Sequence, residues 1–293
     1  MWFKQVQLYQ LSGLEGYSPL GLEEKLEKLT FHESLSFMTH TAGWVPPVDE
    51  AGAPLVQALQ QYWMICLQVE EKLLPSAVIR QELDKAIKKI EIAEHRRVSA
   101  KEKQAMKDEV ITTLLPRAFS KMTKIYAYID SKNMRLVLGT CSPKKAEHFL
   151  TTFKKTMGDI IQPITTKKLT TIMTSWLQEQ NYSQAFSVEK ACVLQDAHYE
   201  QRIIRCREQN LFAPNIQSFL KEGCEVKQLA LTWNDHLNFV LLDNCSLQGI
   251  RFQEKLEGYE EMEAETALQQ FHADFLIMTK TFSDLFDELI GLF

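Results

Sequence analysis

Apolar and polar residues alternate over 2–9, which predicts a β-strand, and give way over 22–29 to the wider spacing of a short amphipathic helix. Gly43-Trp44-Val45-Pro46-Pro47 reads as a turn or loop, because both prolines fix φ and remove a backbone donor. The run over 62–69 predicts a buried strand that Leu74-Pro75-Ser76 ends, with Ser76 as the N-cap of the next helix.

That helix is the first informative element. Ile79, Leu83, Ala86, Ile87, Ile90 and Ala93 recur at helical spacing as one apolar stripe. Lys85, Lys88, Lys89 and Arg96 fall on roughly the opposite side, so one face is expected to pack while the other presents cations. Ser99 followed by Glu102 forms a capping-box pattern for a second helix running towards Pro116. There Met106, Val110, Ile111 and Leu114 point inward while Lys103 and Lys107 are exposed. Two successive helices with a short loop predict a projecting helical hairpin.

Residues 124–130 and 134–140 read as a β-hairpin around Ser131-Lys132-Asn133. Pro143 opens another helix, with Phe149, Leu150 and Phe153 as its core stripe. Strands over 225–233, 237–242 and 247–252 form a meander, divided by Asn234-Asp235 and Asp243-Asn244 turns. Near the end, Leu268, Phe271, Phe275, Met278, Phe282, Leu285 and Leu289 keep a coiled-coil-like spacing. The compact run 275–278 favours a buried strand followed by a helix capped by Ser283, since the apolar positions exceed a two-sided seam. The mixture is α+β. It divides into a central region of 1–75 with 124–168, a helical tip of 76–123, and a base of 169–293 that ends in the meander and a C-terminal helix.

Composition changes this picture through its distribution. The chain of 293 residues carries a formal charge of −5. Residues 80–168, however, hold 20 basic and 10 acidic side chains, and both flanks are acidic. A basic middle between acidic ends fits a polyanion on one face. Fifteen of those 20 cations are Lys, a point charge suited to phosphates, whereas reading guanine favours bidentate Arg. Aromatic residues for stacking single strands are few there, mainly Phe119, Tyr126 and Tyr128, so non-specific duplex binding fits better. The expected phosphate contacts are Lys85, Lys88, Lys89, Arg96, Arg97, Lys101, Lys103, Lys107, Lys121, Lys144, Lys145, Lys154 and Lys155.

Catalysis has no good candidate. No Gly precedes a Lys, so a Walker A loop is absent, and G-x-S-x-G and H-E-x-x-H are absent too. Seven His show no metal spacing, and six scattered Cys without a C-x-x-C pair predict reduced thiols in a cytosolic setting. Three nuclease-like Glu-x-Lys triplets, at Glu23/Lys25, Glu70/Lys72 and Glu225/Lys227, are as frequent as chance allows in so charged a chain. The acidic run Glu260, Glu261, Glu263 and Glu265 reads as a solvated helix start. The opening residues Met-Trp-Phe-Lys-Gln carry no secretory pattern. The uncharged stretch 51–69 contains four Gln, with Gly52 and Pro54, and does not suit lipid. Neither a cofactor nor a membrane partner is expected.

Several segments together resemble the bacterial recombination-associated RdgC family. They are Trp2-Phe3-Lys4, Gly43-Trp44-Val45-Pro46-Pro47, Glu70-Glu71-Lys72-Leu73-Leu74-Pro75-Ser76, Lys107-Asp108-Glu109-Val110, Leu114-Leu115-Pro116-Arg117-Ala118-Phe119-Ser120, Lys144-Lys145-Ala146-Glu147 and Ala273-Asp274-Phe275-Leu276-Ile277-Met278-Thr279. They span nearly the whole chain in family order. The resemblance implies a horseshoe-shaped α+β subunit with mixed or antiparallel sheets. Two such subunits close into a ring homodimer whose basic hole admits double-stranded DNA. It also implies a nucleoid-associated, cytoplasmic protein that restrains RecA-dependent recombination by occupying DNA. The alternative is a regulator that contacts RecA directly, with DNA binding secondary. Arg117 and Phe119 would sit at the contact between subunit tips; a locally buried Phe119 is the competing reading.

Overall fold

The computed structural model describes residues 2–14, 16–35, 37–164, 168–199, 201–253 and 266–292. In chain order the elements are β1 (Gln5–Leu11), α1 (Pro19–Leu26), β2 (His40–Val45), β3 (Gln57–Leu59), β4 (Tyr62–Lys72), α2 (Ser76–Glu94), α3 (Ala100–Leu114), β5 (Ser120–Asp130), β6 (Arg135–Leu138), α4 (Pro143–Met157), β7 (Ile161–Pro163), α5 (Leu169–Glu179), β8 (Phe186–Asp196), β9 (Ile203–Cys206), α6 (Pro214–Lys221), β10 (Cys224–Trp233), β11 (Leu237–Leu242), β12 (Leu247–Phe252) and α7 (Ala267–Ile290). The strands form one 12-stranded antiparallel sheet in the order β2-β4-β5-β6-β1-β12-β11-β10-β8-β9, with β3 on β4 and β7 on β1.

One strand joins the two halves. Gln5 and Val6 of β1 pair with Gln248 and Leu247 of β12, whereas the next four residues pair with β6. β4 over most of its length and β5 over 127–130 are buried on both faces, which explains the near-continuous apolar run of β4. On one face Ile65, Leu67, Ile125 and Ile129 pack with Trp44 and with Phe149 and Phe153 of α4. On the other, Tyr62, Met64 and Tyr128 meet α7, with the Tyr128 and Phe275 rings 6.0 Å apart.

The meander, the 131–133 turn and the helix opened by Pro143 fold as the pattern predicts. Asn234 and Asp235 both take positive φ, which a tight hairpin turn requires. Three expectations are corrected. Gly43-Trp44-Val45 is not a loop but belongs to β2, paired with β4, and only the two prolines lie beyond it. Ser76 is the first helical residue and Pro75 holds the N-cap position. Residues 275–278 lie within α7, a single helix of 24 residues that begins at a Thr266–Gln269 capping box. Ser283 is buried inside it, its hydroxyl 3.2 Å from Asp130 Oδ2. The compact apolar run arises because α7 has core on more than one side; Phe3, Tyr128 and Phe252 all belong to that core or pack against it. The acidic run at 260–265 lies outside the described residues.

A buried carboxylate fixes the segment before β2. Glu70, 5% exposed, accepts from the Ser34 amide at 2.7 Å. The Ser120 hydroxyl foremost, then Ser34, holds its carboxyl below the usual range. A depressed folded pKa stabilises above the unfolded carboxylate range and is lost as pH falls through the folded value. Glu70→Gln is therefore expected to cost about 1–2 kcal/mol at neutral pH. The gap to wild type should close below about pH 4. Urea midpoints at the two pH values check this; a gap that persists in acid contradicts it.

Candidate nucleic-acid interface

The helical hairpin inserted between β4 and β5 packs on itself. α2 and α3 contact each other, and neither contains a fully buried residue. The expected stripes are only half-buried, from Ile79 to Ile90 on α2 and from Met106 to Leu114 on α3, and Ala93, expected to close the first, is exposed. A helix pair with no third layer cannot exclude water from its seam. A groove of about 660 Å³ therefore runs along it, edged by Lys85, Lys88 and Lys89 on one side and by Met106, Glu109 and Val110 on the other. The three lysines thus border the seam, where the helical wheel alone had set them opposite it.

The turn at the far end is tightly built. His95 ends α2 in the left-handed region, and the capping box of Ser99 and Glu102 starts α3. Arg96 bonds Glu94 at 2.6 Å and grips Glu102 through both terminal nitrogens at 2.9 and 2.7 Å. Those bonds, then the Ser99 amide, pull the Glu102 carboxyl down to about 2. Arg96 therefore serves the turn first.

All 13 predicted cations are exposed. Four are engaged in ion pairs: Lys85 with Glu82, Arg96 as above, Lys144 with Glu71 and Lys154 with Asp159. The other nine, Lys88, Lys89, Arg97, Lys101, Lys103, Lys107, Lys121, Lys145 and Lys155, have no ion pair among the described residues and can meet a phosphate without exchanging partners. Eight of the 13 lie on the hairpin. On α4 they diverge: Lys144 and Lys155 face a cleft beside β2, whereas Lys145 faces a separate groove with Lys4, Lys124 and Tyr126. Lys4 and Lys124 were not among the predicted contacts. Lys124 could have been found from strand alternation, since it shares a face with Tyr126 and not with buried Ile125; it also bonds Asp49.

Phe119 is 85% exposed, which removes the reading of a locally buried ring, and Arg117 beside it is exposed too. Tyr128 is buried and unavailable for stacking. The three Glu-x-Lys triplets sit apart on α1, β4 and β10. Among the described residues, no group of three or more His, Cys, Asp or Glu is placed to hold a metal ion. No helix there is long and apolar enough to cross a membrane.

Fold and surface together define an α+β protein built on one antiparallel sheet and carrying a cation-studded helical hairpin. A family model described as "Putative exonuclease, RdgC" matches residues 1–293. A protein of Halorhodospira halophila is 34% identical over 100% of this chain and 98% of its own length. One of Yersinia enterocolitica is 32% identical over 99% and 97%, and one of Pseudomonas entomophila 34% over 99% and 98%. Each bears the name "Recombination-associated protein RdgC". The chain belongs to the RdgC family.

Proposed function

We propose that this chain binds duplex DNA without sequence preference and without cutting it, and that it modulates RecA-dependent recombination by occupying the duplex. The observation that carries this reading is the gathering of nine exposed cations, six of them Lys, on a hairpin whose two helices contain no fully buried residue. Two copies, each horseshoe-shaped, would close into a ring with Arg117 and Phe119 at the tips, as the family resemblance implies. The exposure of Phe119 supports such a contact, because exposed Leu73, whose amide bonds the Phe119 carbonyl, and exposed Met122 extend it into an apolar patch. The acidic residues of 169–293 support the second reading, direct contact with RecA. A pull-down from nuclease-treated extract separates the two, since an association carried by DNA disappears there.

The test is anisotropy of a random labelled duplex over roughly 50–300 mM salt, with recovery of the duplex after incubation with Mg²⁺ or Mn²⁺. Affinity should fall steeply and equally for unrelated sequences, and the duplex should be recovered intact. A flat response removes the phosphate-binding reading, and cutting removes the non-enzymatic one.

A further inference from the structure

The cleft between β2 and α4, about 990 Å³ in volume, gathers two imidazoles that the charge pattern did not single out. His40 of β2 and His148 of α4 lie with ring centroids 5.3 Å apart. Glu71 of β4 accepts from Lys144 at 2.7 Å, and the same oxygen lies 3.3 Å from His148 Nε2. Lys144 foremost, with His148 after it, holds the Glu71 carboxyl below its usual range. α4 also brings Glu147 and Lys155 to the cleft wall, and β4 brings Lys72, which lies 3.8 Å from Glu70. Lys121 of β5 stands opposite Glu71 across the ladder. Thr39, Thr41, Thr151 and Thr152 complete the polar lining, with Thr39 Oγ1 3.3 Å from His40 Nδ1.

The imidazoles decide how positive this cleft becomes. Lys144 and Lys155 are matched in number by Glu71 and Glu147, and Lys72 by Glu70, while Lys121 adds one positive charge. Protonating both histidines adds two positive charges. Glu71 lies beside His148 but already answers Lys144, so neither added charge is cancelled within the cleft. Among the described residues no carboxylate bonds His40, and two imidazolium rings this close repel. The doubly protonated cleft therefore calls for an anion from outside, with hydroxyls and ammonium groups already in place to receive its oxygens.

We propose that this cleft is a pH-gated binding site for a phosphate group, held by His40 and His148 with Lys144 and Lys155. The inference deepens the duplex-binding reading and rests on it for the DNA backbone as the source of phosphate; a free phosphate or nucleotide offers the same chemistry.

Two measurements test it. In the first, imidazole NMR signals of the full chain are followed at about pH 6.5 as inorganic phosphate is added. His40 and His148 should move while exposed His198, far along the chain, does not. In the second, duplex affinity at constant ionic strength is compared at about pH 6 and pH 8. Wild type should gain about tenfold on acidification. His40→Asn/His148→Asn should lose that gain, with the fold checked by circular dichroism. Signals that move together with a pair-dependent gain assign the site to the DNA backbone. Signals that move without that gain assign it to a free phosphate group. Imidazoles unmoved by phosphate overturn the site, whatever the duplex does. A wild type that binds no duplex at either pH overturns the DNA reading alone, because the phosphate titration still decides the cleft.

Discussion

Changing Lys85, Lys88 and Lys89 to Glu is expected to lower duplex affinity on the order of a hundredfold at moderate salt, and equally for every sequence tested. The three ammonium groups edge one groove on the hairpin, and two of them have no carboxylate partner among the described residues. Their attraction to phosphate is therefore not already spent within the chain. Each lost contact also removes one released counterion, so the slope of log affinity against log salt should shallow by about 3. The helix should survive. All three positions are exposed and Glu is as good a helix former as Lys, although losing the Lys85–Glu82 pair costs a few tenths of a kcal/mol. Unchanged affinity with an intact fold would sink the assignment of the interface to α2. A uniform loss of affinity with an unchanged salt slope would point to an indirect effect on the hairpin.

The second large effect is on stability. Gly43→Ala is expected to cost about 3 kcal/mol or more. A Cβ built at Gly43 lies 2.4 Å from Phe31 Cα, 2.5 Å from Phe31 N and 2.7 Å from the Thr30 carbonyl carbon. All three are backbone atoms, so no side chain can rotate away. The segment around Thr30 must leave β2, with loss of the Phe31 amide bond to the Trp44 carbonyl at 3.0 Å, or β2 must leave β4. Either movement disturbs Trp44, which is 1% exposed, donates to Thr156 Oγ1 at 2.9 Å and meets Phe149 edge-on at 5.4 Å. Gly21→Ala is the control. Its Cβ meets only Ser18 Oγ at 3.5 Å, and in a helix alanine should be neutral or stabilising by up to about 1 kcal/mol. Urea midpoints compare the two, and a Gly43→Ala midpoint equal to that of wild type would refute the close-approach explanation.

Gly43 also shows why part of the fold could not be read from the chain. In sequence it stands before Trp-Val-Pro-Pro and has the signature of a turn. Its requirement comes instead from Phe31, a backbone neighbour in space. β8 escaped for a related reason: its strand interior contains Glu189 and Lys190, and its pairing with β10 shifts register between Val226 and Gln228 and again between Leu229 and Leu231. Bulges of this kind break the two-residue alternation on which a strand is recognised. The cleft histidines were invisible because His40 and His148 are far apart in the chain and carry no shared spacing. By contrast the Ser99–Glu102 box, the Asn234-Asp235 turn and the segregation of Lys into 80–168 were all legible, because each depends on neighbours along the chain.

The sequence by itself determined the local elements whose causes are local: capped helices, the meander, the basic hairpin and the run of segments that place the chain in the RdgC family. The tertiary structure decided what long-range contacts control. It joined the two halves through β1, made 267–290 one helix by surrounding it with core, set the hairpin lysines at the rim of a groove, and brought two imidazoles and a carboxylate into one cleft. The physical reason is that hydrogen bonds along the chain follow from adjacency, whereas burial follows from partners such as Ser283 and Asp130, which lie 153 residues apart in sequence.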